Sequence, residues 1–116
     1  MLAFDPSLTD FLYGPQSFDA TMLIALAAHQ AGCADGTSIA ANLISVAGDG
    51  GEECTTYADC VALIDAGTAI DYMGVNGGSD FNQYGDLLEG TISINEYTSN
   101  TEYEEIGSLT AVVPEP

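Results

Sequence analysis

Phe18-Asp19-Ala20-Thr21-Met22-Leu23-Ile24-Ala25-Leu26-Ala27-Ala28-His29-Gln30-Ala31 is the stretch that decides how this chain folds. Its residues are mostly good helix formers, with no Gly or Pro among them. Ser17 is placed to cap the start by accepting from a free backbone N–H, and Asp19 is favoured near the positive end of the helix dipole. Gly32 is a good stop, because glycine accepts the left-handed conformation that closes a helix. Apolar side chains fall on nearly every face, so burial on nearly every face is expected. The stretch is too short to span a bilayer, which takes about 20 apolar residues. A helix of this kind needs layers packed on both sides. The rest of the sequence is too small and too polar to supply them all, so the chain is expected to be part of a larger domain whose upstream portion covers the helix.

The charge balance excludes several classes of partner. The chain has 116 residues with 18 Asp and Glu, no Lys or Arg and one His, for a formal net charge of -18. It can form no ion pair to Lys or Arg, no phosphate clamp and no cationic patch. Nucleic acid and anionic lipid surfaces repel such a chain. Surface carboxylates at this density promote solubility, and they also suit a salty habitat or a cation-rich surface. Met1-Leu2-Ala3-Phe4-Asp5-Pro6 lacks a basic start and an apolar run, so no signal peptide is expected there. Cys54 and Cys60 stand at a spacing that a local disulfide can close, which would suit an exported protein; the alternative is two unpaired small residues. Three Cys and one His form no recognisable zinc pattern.

Outward from the core helix, Pro6 and Gly14-Pro15 punctuate the N-terminal residues, and Phe11-Leu12-Tyr13 reads as a short extended lead-in. Pro15 disfavours helical geometry at Gly14. A second helix is expected over residues 38–47, capped by Asp35 or Thr37, with Ile39, Leu43, Ile44 and Val46 as its apolar stripe. Residues 48–53 read as a flexible acidic loop. A third helix is expected over residues 57–65, capped by Thr55 or Thr56 and ended by Gly67. Ile70-Asp71-Tyr72 reads as a short extended segment. Thr91-Ile92-Ser93-Ile94-Asn95-Glu96-Tyr97 alternates as a strand, with Ile92 and Ile94 on one face and Glu96 a candidate to join them. Phe81, ahead of a Gly85-Asp86 turn, marks its expected partner, which makes residues 79–97 a hairpin. A last strand is expected over residues 106–113. Three helices, a hairpin and a terminal strand make an α/β chain whose sheet is incomplete.

The order and wording of these pieces resemble the C-terminal third of type 1 periplasmic binding proteins, above all the branched-chain amino-acid (Leu/Ile/Val) substrate-binding proteins of ABC importers. Phe18-Asp19-Ala20 and the Ala/Leu-rich run to Gly32 resemble the family's aromatic-Asp-Ala helix. Asp35-Gly36-Thr37, the Cys54 to Cys60 segment and Leu63-Ile64-Asp65-Ala66-Gly67 follow in the family's order. The most specific piece is Gly74-Val75-Asn76-Gly77-Gly78-Ser79-Asp80-Phe81-Asn82-Gln83-Tyr84-Gly85-Asp86, which is similar to the family's Gly-x-x-Gly-x-x-x-Phe-x-x-x-Gly-Asp hairpin. The resemblance is carried by order and spacing across residues 13–97, and the absence of Lys and Arg departs from it.

The resemblance implies two Rossmann-like lobes hinged about a cleft, with residues 1–97 in the C-terminal part of the first lobe and residues 98–116 forming a crossover and tail toward the second. It implies extracytoplasmic binding of a branched-chain or other small amino acid or amide, delivery to an ABC transporter permease, and no catalysis, cofactor or metal. In the family the segment before the core helix faces the cleft. Tyr13 would touch the ligand side chain, with Gln16 and Ser17 as polar neighbours. The plainer alternatives are an aromatic that only packs the helix start and a serine that only caps it.

Two other classes compete. The first is an acidic secreted structural or interaction module, with calcium as an optional ligand. Asp80, Asn82, Gly85 and Asp86 fall at positions one, three, six and seven of an EF-hand-like loop, but Tyr84 stands at five and Thr91 at twelve, where a Glu is required. The second is an enzyme, which would need a motif framing His29 as a base; His29 is more simply a residue favoured at the negative end of its helix.

Overall fold

The computed structural model describes residues 3–48 and 50–114. Met1 and Leu2 of the leader expectation, Asp49 of the acidic loop and residues 115–116 of the tail lie outside the described residues. The chain is mixed α/β: three helices and two small sheets, divided into two compact units, residues 1–79 and residues 80–116.

In the first unit, α1 (Gly14–Ala31) and α2 (Gly36–Val46) are followed by β1 (Glu52–Cys54), α3 (Tyr57–Asp65) and β2 (Ile70–Tyr72). α1 begins earlier than expected. Pro15 occupies its first turn, where a missing N–H costs nothing, and Gly14 has no Cβ to meet the proline ring. Tyr13 is the N-cap residue in a left-handed conformation, with φ 59°, and no side chain caps the helix. Ser17 therefore sits one turn inside α1 rather than at its cap; its N–H donates to the Tyr13 carbonyl at 2.9 Å. Gly32 closes α1 as expected, donating to the His29 carbonyl.

α1 buries one face: Asp19, Leu23, Leu26 and Ala27 recur at the spacing of a single helical stripe. Phe18 and Ile24, on the other side, are half-exposed. The expected burial all round is thus not supplied by the described residues. α2 packs along the covered side of α1, and Gln30 Nε2 donates across to Asn42 Oδ1 at 3.0 Å and Ser45 Oγ at 2.7 Å. Asp35 caps α2 by accepting from the Ser38 N–H at 3.1 Å. Thr56 caps α3 by accepting from the Asp59 N–H, while its hydroxyl donates back to the Asp59 carboxylate.

β1 corrects the acidic-loop expectation. Glu52–Cys54 pairs in parallel with β2, Glu52 opposite Ile70 and Cys54 opposite Tyr72. β1, α3 and β2 make a βαβ step. A Cβ at Gly51 would land on the Ile70 backbone, so only glycine lets β1 enter this pairing. The Cys54–Cys60 disulfide joins the end of β1 to α3 across 5.3 Å between Cα atoms, as the spacing allowed. Leu23, Leu26, Ala27, Val46, Ala47, Cys54, Cys60, Ile70 and Tyr72 form the core, all within this unit.

The second unit is built on β3 (Glu89–Tyr97) and β4 (Tyr103–Val112), paired antiparallel. This corrects the expected pairing of residue 81 with the alternating strand. Phe81 forms only an isolated bridge to Leu87. The turn between them is closed by Asn82, whose N–H donates to the Asp86 carbonyl at 2.9 Å. The last strand is longer than expected and folds back on β3 through a short link, where Ser99 Oγ accepts from the Glu102 N–H at 3.0 Å. The two compact units divide between Ser79 and Asp80. Among the described residues no helix is long and apolar enough to cross a membrane.

Candidate binding site

Among the described residues, the buried charged side chain is Asp19. This residue lies on the covered face of α1 and is only 4% exposed. Its Oδ1 accepts from the Tyr72 hydroxyl at 3.2 Å and from the Val75 N–H at 2.9 Å. Its Oδ2 accepts from both the N–H and the side-chain amide of Asn76, each at 2.9 Å. Burial by itself pushes the Asp19 carboxyl up, but the donors from Asn76, Val75 and Tyr72 outweigh it and hold the group below the usual carboxylate range. Burial, the Asp19 charge and the shared hydrogen bond together push the Tyr72 hydroxyl up to about 12.

This arrangement requires Gly74. A Cβ there would land on the Asp19 carboxylate. The Gly74 and Gly77 backbones also bond to each other in both directions, at 3.0 and 3.1 Å, which closes the turn that presents the Val75 and Asn76 N–H groups. α1 is thereby latched to the turn after β2. Sequence reasoning placed Asp19 only at a helix dipole. The usable signal was a carboxylate inside an apolar helix, which is costly unless partnered, together with a glycine-rich turn able to offer free N–H groups.

The latch fixes the N-terminal end of α1, where the expected ligand residues sit. Tyr13, Gln16 and Ser17 all fall on the helix's opening turn and are exposed. Tyr13 is 69% exposed and is, among the described residues, the one non-glycine with positive φ. That conformation is disfavoured for a bulky side chain and concentrates at ligand clamps and switch regions. Phe11 and Leu12 are exposed beside it in sequence, so the helix start carries aromatic and aliphatic surface together with two polar side chains. The arrangement can offer an apolar contact, an amide and a hydroxyl; it holds no nucleophile–base pair.

Other polar groups are occupied locally. His29 Nε2 lies 2.7 Å from Asp65 Oδ1, joining α1 to α3. In the EF-hand-like turn, Asn82 Oδ1 accepts from the Tyr84 and Asp86 N–H groups at 2.9 and 3.0 Å, and its amide donates to the Asp86 carboxylate. Among the described residues no group of three or more His, Cys, Asp or Glu side chains is placed to hold a metal ion. The disulfide is compatible with an extracytoplasmic location. No family model, no curated protein and no solved structure matches the chain.

Proposed function

We propose that this chain is the closing part of a type 1 periplasmic-binding-protein-like receptor, a hinged two-lobed protein that captures a branched-chain or other small amino acid, or an amide, outside the cytoplasm and presents it to an ABC transporter permease. The observation that carries the proposal is the unfinished α/β layer. Parallel strands belong to buried sheets covered by helices on both faces, yet β1 and β2 stand as a pair and α1 keeps Phe18 and Ile24 half-exposed. An upstream portion of the same domain would extend the sheet and cover that helix face. The motif order across residues 13–97 supports the same assignment. Tyr13, with Gln16 and Ser17, would line the cleft, and the Asp19 latch would hold them in place.

The experiment is a thermal melt of the receptor made by joining this chain to its upstream half, run against a panel of small amino acids and their amides. A ligand that binds only the folded state raises the melting temperature, and at least one member of the panel should do so. No rise across the panel counts against solute capture.

A further inference from the structure

The β3–β4 hairpin is two-faced, and its faces differ in kind. Register and alternation place Thr91 opposite Thr110 and Ser93 opposite Ser108 on one face, where the two threonine hydroxyls lie 3.1 Å apart. That face is polar at its centre and continues to Glu89 opposite Val112 at one end and to Tyr97 opposite Tyr103 at the other, where the two rings meet edge to face with centroids 6.3 Å apart. The other face carries Ile92 opposite Leu109 and Ile94 opposite Gly107, then, past a bulge between Ile94 and Asn95, Glu96 opposite Glu104. Ile92, Ile94 and Leu109 are 61%, 49% and 60% exposed. Two strands alone are marginal in water, and a sheet persists when an apolar face is covered. Glu96 and Glu104 add a second strain, since like charges directly opposite each other destabilise a strand pair.

These 116 residues hold no Lys or Arg to offset that repulsion, and their single His already faces Asp65. A second copy would bring the same carboxylates and another net charge of -18. We propose that this face docks a second protein whose surface has an apolar centre and Lys or Arg side chains beside it. The centre covers Ile92, Ile94 and Leu109, and the cations sit against Glu96 and Glu104. This stands apart from solute capture and does not depend on it.

The test uses the full chain and two short labelled peptides, one alternating Val and Lys and one alternating Val and Glu, followed by fluorescence anisotropy. The Val/Lys peptide should bind saturably at one per chain, at least about tenfold more tightly than the Val/Glu peptide. Ile92→Thr with Leu109→Thr, which keeps strand-forming residues at exposed positions, should weaken binding by at least about tenfold. Glu96→Gln with Glu104→Gln should weaken binding and flatten its salt dependence while raising the melting temperature, because it removes the cross-strand repulsion. Glu102→Gln with Glu105→Gln removes the same charge away from the apolar face and should leave peptide binding within about twofold, which separates docking from general charge attraction. The proposal is overturned by equal binding of both peptides, by unchanged binding in the threonine variant, by a dimer of the chain in sedimentation, or by loss of peptide binding on joining the upstream half.

Discussion

Asn76 donates to the same oxygen of Asp19 twice, once from its backbone and once from its side chain, both at 2.9 Å. This double contact ties a helix beginning at residue 14 to a turn sixty residues downstream. It makes Asp19 a structural anchor and not a solvated acid. Asp19→Ala removes the shared acceptor of the Val75 and Asn76 donors and leaves the buried Tyr72 hydroxyl without it. We expect a loss of about 2 kcal/mol in urea unfolding, in line with stranding one buried donor and losing bonds to a charged acceptor. A loss below about 0.5 kcal/mol, the level of an ordinary surface change, would show that the latch is not holding α1.

The same group makes stability depend on acid. The folded state holds the Asp19 carboxyl below its ordinary value, so its contribution is present above the unfolded carboxylate value. It is lost as pH falls through the lowered folded value. Tyr72 acts at the other end. Its hydroxyl is raised to about 12, so that contribution is present below the unfolded tyrosine value and lost as pH rises through about 12. Melting temperatures across the pH range should fall at both extremes, and the acid step should shrink in Asp19→Asn. An identical acid profile in that variant contradicts the assignment.

Much of the first unit was readable from residue types, because local chemistry decides it. Asp35 and Thr56 cap their helices as aspartate and hydroxyl caps do, and the Cys54 to Cys60 spacing is closed by the bond it permits. The misses have physical causes. β1 is three residues with two glutamates, too short to show a period, and its strand identity comes from β2. The start of α1 turned on Pro15, which ends helices from inside but opens them from the first turn. The pairing of β3 with β4 was hidden because turns flank β3 on both sides, and the conspicuous glycine turn at Gly85 satisfies itself through Asn82 without supplying a partner strand. The role of Asp19 depends on residues fifty-odd positions away, which no local pattern reports.

Gly74→Ala tests the close approach independently of charge. The added methyl would occupy the space of the Asp19 carboxylate, so the turn and α1 must separate. A destabilisation of about 2 kcal/mol or more is expected from overpacking, read by thermal or urea melting, and it should be much smaller in an Asp19→Ala background because the two residues share one space. Full additivity of the two changes would contradict the contact.

Reduction of Cys54–Cys60 should cost about 2 kcal/mol, the chain-entropy value for so short a loop. The Cys54→Ser, Cys60→Ser double variant should melt lower than the oxidised protein and be insensitive to dithiothreitol. No difference between oxidised and reduced protein would mean that β1 and α3 are held together without the bond.

A chain with no basic side chain except His29 repels itself, and salt screens that repulsion. Melting temperature should therefore rise with sodium chloride from low ionic strength upward. The rise should be smaller in a variant with several exposed glutamates, Glu102 and Glu105 among them, changed to glutamine. A flat or falling dependence would contradict self-repulsion as a governing term.

The most direct test of solute capture is a calorimetric titration of the joined receptor with branched-chain amino acids, other small amino acids and their amides. The account predicts saturable heat for one site with at least one of these ligands, and an affinity weakened by about tenfold in Tyr13→Ala. Absence of saturable heat for every ligand, with a cooperatively folded receptor in the cell, would contradict it.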